Sequence, residues 1–242
     1  MKRRKLLSLI IILVLWQAIA MILNKPVIVP FPLDVFRVML RNIGDSSFYS
    51  ALLATILRML RGLIAAFALA LAAALTAGIY PSVEDYLSPF INIIKTVPNV
   101  SYIVIILILF GSERSVTIIT FFILFPSMYS SILLAMHSVD RELLDVARLE
   151  PITFFQKIRY VYWPEIIPAI LTTLKTSFGL GFKVSIMAEI LGAVRIGVGR
   201  EMSVARTYVE MDQILAWTLW IIIVSLLADL LFDFLLRRYL AD

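Results

Sequence analysis

The chain contains no cysteine, which excludes disulfides, thiolate nucleophiles and cysteine metal sites and leaves redox compartment undetermined. His137 is its one histidine, so the sequence offers no histidine-based metal cluster and no evident catalytic triad. A phosphate-binding loop of the form G-x-x-x-x-G-K-S/T is also missing, and with it that route to ATP hydrolysis within this chain. Charge is sparse, at 16% of 242 residues. The net charge of +5 is spread over tails, loops and helix ends. Nucleic-acid binding calls instead for one basic patch with interleaved aromatics, so retention near anionic headgroups explains the excess better.

What the sequence does have is apolar length. It is 61% apolar, with a mean hydropathy of +0.96, and several uninterrupted runs approach the ~20 residues a helix needs to cross a bilayer. Backbone groups in lipid must be satisfied internally, leaving helices or a closed barrel. These runs are too long and uniform for short alternating strands. The pattern predicts an all-α, polytopic membrane protein, a single domain over 1–242, with six spans at about 6–23, 52–80, 87–110, 116–137, 166–191 and 214–236.

The first run has the basic head and apolar stretch of a secretory signal, with Ala18-Ile19-Ala20 as a cleavage-like pattern. Its near-spanning length and Trp16 favour an uncleaved span. Lys2 to Lys5 at one end of the chain and Arg237 with Arg238 at the other place both termini in the cytoplasm. Between the first two spans, Pro26, Pro30 and Pro32 precede VFRVMLRNI, whose periodicity predicts a short amphipathic helix on the outer surface. The alanine-dense second span should sit inside the bundle. Arg58 and Arg61 near its outer end are read as snorkelling side chains. Pro81, Glu84 and Asp85 suggest a tight turn, the Lys95 to Asn99 segment should interrupt the third span, Gly111 to Arg114 should turn the chain back, and Pro126 should kink the fourth span.

A polar island follows, DVARLEPITFFQKIRYVYWPEIIP at 145–168. Acids, bases and aromatics between apolar runs mark an exposed landing surface on the cytoplasmic side. The expected form is a helix over 141–149 capped by Asp140 or a neighbour, a break, and a second helix from Pro151 to about Tyr162. Proline suits a first helical turn, and Glu150 before it is pushed out of helical geometry. Leu144, Ala147 and Arg148 share one face, while Phe154, Phe155 and Ile158 offer apolar matter to a partner's groove.

That spacing resembles the cytoplasmic EAA loop of ABC importer permeases. Asp145-Val146-Ala147 falls on the triplet, Pro151 on the glycine four residues after its last alanine, and Val161-Tyr162-Trp163-Pro164 on the closing aliphatic-x-Leu-Pro. Asp for Glu keeps the charge. Pro151 cannot supply the positive φ that glycine often provides after a helix, so the turn must be built differently. Trp16, the VPFP at 29–32, the LRMLRG at 57–62, Val97-Pro98, Phe110-Gly111, Pro164 with Pro168, Ala188-Glu189 and Asp229 extend the resemblance, which is to the nitrate, sulfonate and taurine type of permease. It implies a six-helix subunit with a two-helix coupling loop at 140–164, in the inner or plasma membrane. It also implies a second permease copy or close relative, two ATPase subunits inside that hold the ATP and magnesium, and a solute-binding protein outside. No cofactor is expected in this chain. The solute would be a small anion or heteroaromatic such as a sulfonate, nitrate or a vitamin or pyrimidine precursor. Coupling would fall to Asp145, Val146, Ala147, Arg148, Glu150, Pro151, Phe154, Phe155 and Pro164.

Two sets of residues are candidates for a solute pathway. Thr172, Thr176, Gly179 and Lys183 recur at helical spacing on the fifth span, and serve either as a lining or as close helix packing beside a snorkelling lysine. A cation at Lys183 would draw an anion inward. Lys95, Asn99 and Ser101 beside the Pro98 break are, with Pro98 itself, a second candidate lining, or else Asn99 and Ser101 satisfy the carbonyls that the proline frees. Glu189 is read as a structural or gating pair, and Asp229 with Asp233 as partners of bases near the cytoplasmic end. Competing classes are an autonomous channel or secondary transporter using its intramembrane charges, and a non-transporting assembly subunit; co-purification with an ATPase separates the importer from both.

Overall fold

The alanine-rich run becomes the seam on which the helices meet. The computed structural model describes residues 2–140 and 153–241, and every regular element among them is helical. Helix α3 (Ser46–Ile79) buries Ala51, Thr55, Met59, Gly62, Ala66, Ala70, Ala74 and Ala77 along one stripe. A Cβ on Gly62 would lie 2.7 Å from the Thr117 carbonyl oxygen of helix α5 (Asn99–His137), so the two backbones are as close as glycine permits. Lipid gives helices little hydrophobic reason to associate, and small residues and buried hydroxyls do that work. One such hydroxyl pair, Thr120 with Ser185 at 2.8 Å, joins α5 to helix α7 (Trp163–Gly192). Met59, Leu124, Met128, Ile132, Ile166 and Phe182, all fully buried, fill the centre of these three helices.

Helix α1 (Lys2–Leu23) is tied to the segment before α2 by the Trp16 indole, which donates to the Pro30 carbonyl at 3.0 Å. Helix α2 (Pro32–Ile43) is amphipathic as expected, with Val35, Val38 and Met39 packed on Ala216 of helix α9 (Met211–Ala241) and the Arg37–Asp34 pair facing out. At the start of α3, the amide and hydroxyl of Ser47 hold the Asp45 carboxyl below its ordinary range, which favours a charged cap. Helix α4 (Pro81–Thr96) corrects the reading of Pro81, Glu84 and Asp85 as a turn: Pro81 opens the helix and Glu84 lies in its first turn. Val97 and Pro98 then break the chain as expected, and α5 begins at Asn99.

Gly111 bends α5 with φ 73 and ψ 170, the left-handed region that favours glycine. The Ser115 hydroxyl reaches the Ile106 carbonyl at 2.9 Å. Nine residues of straight helix would separate those positions by ~13 Å, so the two arms fold back on each other. Pro126, by contrast, sits within helical backbone.

Helix α6 (Phe154–Lys157) passes through a π turn (Ile158–Tyr162) directly into α7. The expected stop near Tyr162 is therefore absent: one wide turn absorbs the change in register. A final short helix, α8 (Val198–Thr207), lies within the segment after α7. By length and composition, Ser46–Ile79, Asn99–His137 and Met211–Phe234 can cross a membrane, and α1 carries a shorter apolar stretch, Ile10–Leu23.

Candidate functional site

Three constellations stand out. The first is a buried ion cluster where α5 bends. Glu189 near the end of α7 is 0% exposed, and it accepts from Arg58 Nη1 at 2.8 Å and from the Gly199 amide at 2.9 Å, with the Thr55 hydroxyl also 2.9 Å away. Arg58 donates further to the Ile196 carbonyl at 2.7 Å and pairs with Glu113, whose other oxygen takes the Arg195 amide at 2.8 Å. The Val198 amide closes the circuit on Thr55 Oγ1 at 2.9 Å. A buried carboxylate persists only when its charge is paired and its lone pairs are occupied, and both conditions hold here. Two glycines make room for it, since a Cβ on Gly197 would lie 2.6 Å from Glu189 Oε2 and one on Gly199 would lie 2.5 Å from Glu189 Cβ. Arg58 is thus an internal tie and not a snorkelling residue, and the pairing expected of Glu189 is with it. A cleft of about 520 Å³ opens beside the cluster.

The second constellation surrounds the proline break. Pro98 lacks an N–H and holds Val97 extended at φ −67 and ψ 129, which ends α4 just after Lys95. Lys95 Nζ donates to Ser130 Oγ at 2.5 Å. That hydroxyl in turn donates to the Pro126 carbonyl at 2.9 Å, and the Tyr102 hydroxyl donates to Asn99 Oδ1 at 2.6 Å. Together with Ser127 and Ser131 these groups line a cleft of about 370 Å³. Ser101 and Pro98 are exposed but are not among its lining residues.

Thr176, Gly179 and Lys183 of α7 line a third constellation, a cleft of about 500 Å³ shared with Ser225 and Asp229 of α9. Lys175 at its edge is bonded to Asp233 at 2.6 Å, the pairing with a base expected for that acid. Thr172 is exposed and returns its hydroxyl to the Pro168 carbonyl at 2.9 Å. Among the described residues nothing lies within 4 Å of a Cβ built on Gly179, so packing among them does not account for that glycine. The two sequence-derived pathway sets therefore fall in separate clefts.

Of the coupling residues, Asp145, Val146, Ala147, Arg148, Glu150 and Pro151 lie outside the described residues, as does the expected helix over 141–149. Phe154 opens α6, Phe155 is 80% exposed, and Pro164 sits in the first turn of α7. Tyr162 is buried in the π turn, and the Lys157 ammonium lies 5.9 Å from its ring centroid. Sequence reasoning missed Tyr102, Ser127, Ser130 and Ser131. The signal was available, because Pro126 and Ser130, like Ser127 and Ser131, are four apart and share a helix face. Among the described residues no group of three or more His, Cys, Asp or Glu side chains is placed to hold a metal.

A family model described as binding-protein-dependent transport system inner membrane component matches residues 62–240. The chain is similar to the taurine transport system permease protein TauC of Escherichia coli, with 28% identity over 96% of this chain and 86% of that protein. It is also similar to SsuC of Bacillus subtilis, named as an aliphatic sulfonates transport permease, with 25% identity over 95% of this chain and 84% of that one. The crystal structure of an amino acid ABC transporter with histidines shares the fold at a TM-score of 0.67 and 18% identity, over 79% of this chain and 94% of that chain.

Proposed function

Because the chain belongs to the binding-protein-dependent transport system inner membrane component family, we propose that it is the permease subunit of an ATP-driven importer and that its solute is a small sulfonate-type anion. The carrying observation is the family match over 62–240, a range that contains the Lys95 and Lys183 clefts and the 140–164 segment. The solute class follows the relatives named for taurine and aliphatic sulfonates. Lysines lining both clefts support it.

In this reading the chain makes six spans with both termini in the cytoplasm, where the 140–164 segment meets the ATPase. Asp145, Val146, Ala147, Arg148, Glu150, Pro151, Phe154, Phe155 and Pro164 form the contact. Two ATPase subunits hold the ATP and magnesium, and an external binding protein delivers the solute. A second permease copy or relative completes the pathway by covering the open α7 face at Thr172, Thr176, Gly179 and Lys183, as isologous pairing would. Lys95, Pro98, Asn99 and Ser101, around the proline break, are the second set of pathway residues in this reading.

Work reaches the pathway mechanically. The helix that starts at Phe154 continues through the π turn into α7 without a joint, so a displacement at the docking surface is carried along α7 to Thr176 and Lys183. Such coupling requires the ATPase to bind the inward-open and outward-open states with different free energies. Replacing Ala147 with arginine puts a bulky cation in the docking face. ATPase co-purifying with this variant in detergent should fall at least tenfold, the loss expected of an interface hot spot. Full retention of the complex would count against the coupling assignment.

A further inference from the structure

Lys95 and its neighbours leave a set of polar donors open to a ligand. Its one bond among the described residues goes to a hydroxyl, and no Asp or Glu lines its cleft. An ammonium among membrane helices without a counter-ion is costly unless it faces water or a ligand. Asn99 uses its oxygen to accept from Tyr102, which leaves the side-chain amide N–H groups available. Ser127 and Ser131 line the same cleft. Lys95 keeps two further N–H donors, since one of its three is spent on Ser130.

The other clefts are built differently. At the α5 bend, the Arg58 guanidinium is committed to Glu113, Glu189 and a carbonyl. In the α7–α9 cleft, Lys175 is held by Asp233, and Lys183 shares the lining with Asp229. Of these three clefts among the described residues, only the Lys95 cleft combines a cation with free donors and no carboxylate.

We propose that the cleft between the end of α4 and the second arm of α5 is an oxyanion-binding site for the transported solute, with Lys95 as the charge and Asn99, Ser127 and Ser131 as hydrogen-bond donors. This deepens the importer reading and rests on it for the idea that the occupant is a passing solute. Several donors converging on one cation suit a head with three acceptor oxygens, such as a sulfonate. A zwitterion would enter with its ammonium pointing away, because no acid in the cleft receives it. A volume of about 370 Å³ admits such a head with a short organic tail.

The test uses the full chain in phosphatidylcholine nanodiscs, without any ATPase, and equilibrium binding of radiolabelled ethanesulfonate. The site predicts saturable binding, at least tenfold weaker in Lys95→Met, within about threefold of wild type in Lys95→Arg, and unchanged in Arg37→Met on the exposed face of α2. Ethylammonium should not compete. Absence of saturable binding, or equal binding by Lys95→Met and wild type, overturns the proposal. Repeating the measurement with phosphatidylglycerol added separates solute from lipid: suppression by that lipid assigns the donors to a headgroup and overturns the solute site. Failure of the importer reading would show as loss of ATPase-driven uptake in the wild type while this binding persisted. Conversely, normal uptake and half-saturation in Lys95→Met would remove the site and leave the importer reading standing.

Discussion

The Arg58 guanidinium meets two fixed carboxylates, whereas the Lys95 ammonium meets, among the described residues, only a hydroxyl. The Arg58 side chain is 12% exposed and lies between Glu113 and the fully buried Glu189, with backbone amides of the 195–199 segment occupying the remaining carboxylate oxygens. Lys95 is exposed to a cleft in which Asn99, Ser127 and Ser131 keep donors in reserve. Each cation lies close to a chain break, Arg58 beside the Gly111 bend of α5 and Lys95 at the Pro98 stop. The difference is in how many of their hydrogen bonds the chain itself completes. A charge completed by the chain is a joint, because moving it costs the pairing. A charge left incomplete is available to something that comes and goes.

The largest expected effect comes from breaking the joint. Arg58→Met would strand the Glu189 carboxylate in a fully buried position, and removing one partner of such a pair typically costs about 3–5 kcal/mol. Thermal unfolding of the purified chain in detergent should show a large drop in midpoint. The double variant Arg58→Met with Glu189→Met should recover a substantial part of it, since no orphan charge remains; close pairs couple by roughly 0.5–3 kcal/mol. An Arg58→Met protein that unfolds at the wild-type temperature would erase the distinction between the two cations.

Much of this was legible in local pattern. The apolar periodicity of 32–43, the alanine seam of α3, the Pro98 stop and the Gly111 bend each depend on residues within a few positions of one another, and each forms where its own chemistry puts it. The ion cluster was not legible as a whole. Arg58 and Glu189 are 131 positions apart, and an arginine near a span end is adequately explained by snorkelling until the facing helix is known. Glu189 announced that it needed a partner without saying which. The serines opposite Lys95 were visible as a spaced set after Pro126 but carried no sign that α4 would lie against them. The π turn left no trace either, because one inserted residue in an aromatic-rich stretch alters no pattern of apolar spacing. The family resemblance was readable from scattered motifs, and the match over 62–240 shows it.

An intermediate effect should follow from crowding the joint without changing its charges. At Gly199 an added Cβ would fall 2.5 Å from Glu189 Cβ and 2.7 Å from the Ile186 carbonyl oxygen, and neither neighbour has a flexible end to yield. Gly199→Ala is expected to destabilise by about 1–3 kcal/mol, the usual range for overpacking, read again as a lower unfolding midpoint. Ethanesulfonate binding by the surviving folded protein should be unaltered. Loss of binding in this variant would mean that joint and cleft are coupled, and the contrast between them would have to be redrawn.

The smallest effect belongs to Ser130, which has a foot in both descriptions. Its hydroxyl donates to the Pro126 carbonyl, a structural duty, and accepts from Lys95, which holds the ammonium against the wall of the cleft. Ser130→Ala removes both bonds. The carbonyl retains the Ser130 backbone amide as its helical donor, so stability should hardly change. Lys95, exposed and flexible, would lose one orienting contact of the kind worth about 0.5–1.5 kcal/mol net, and ethanesulfonate affinity should fall roughly twofold to tenfold. Ser130→Thr keeps the hydroxyl and should restore most of that affinity. Should Ser130→Ala bind as tightly as wild type, the hydroxyl would belong with the joints, and Lys95 would be oriented by its ligand alone.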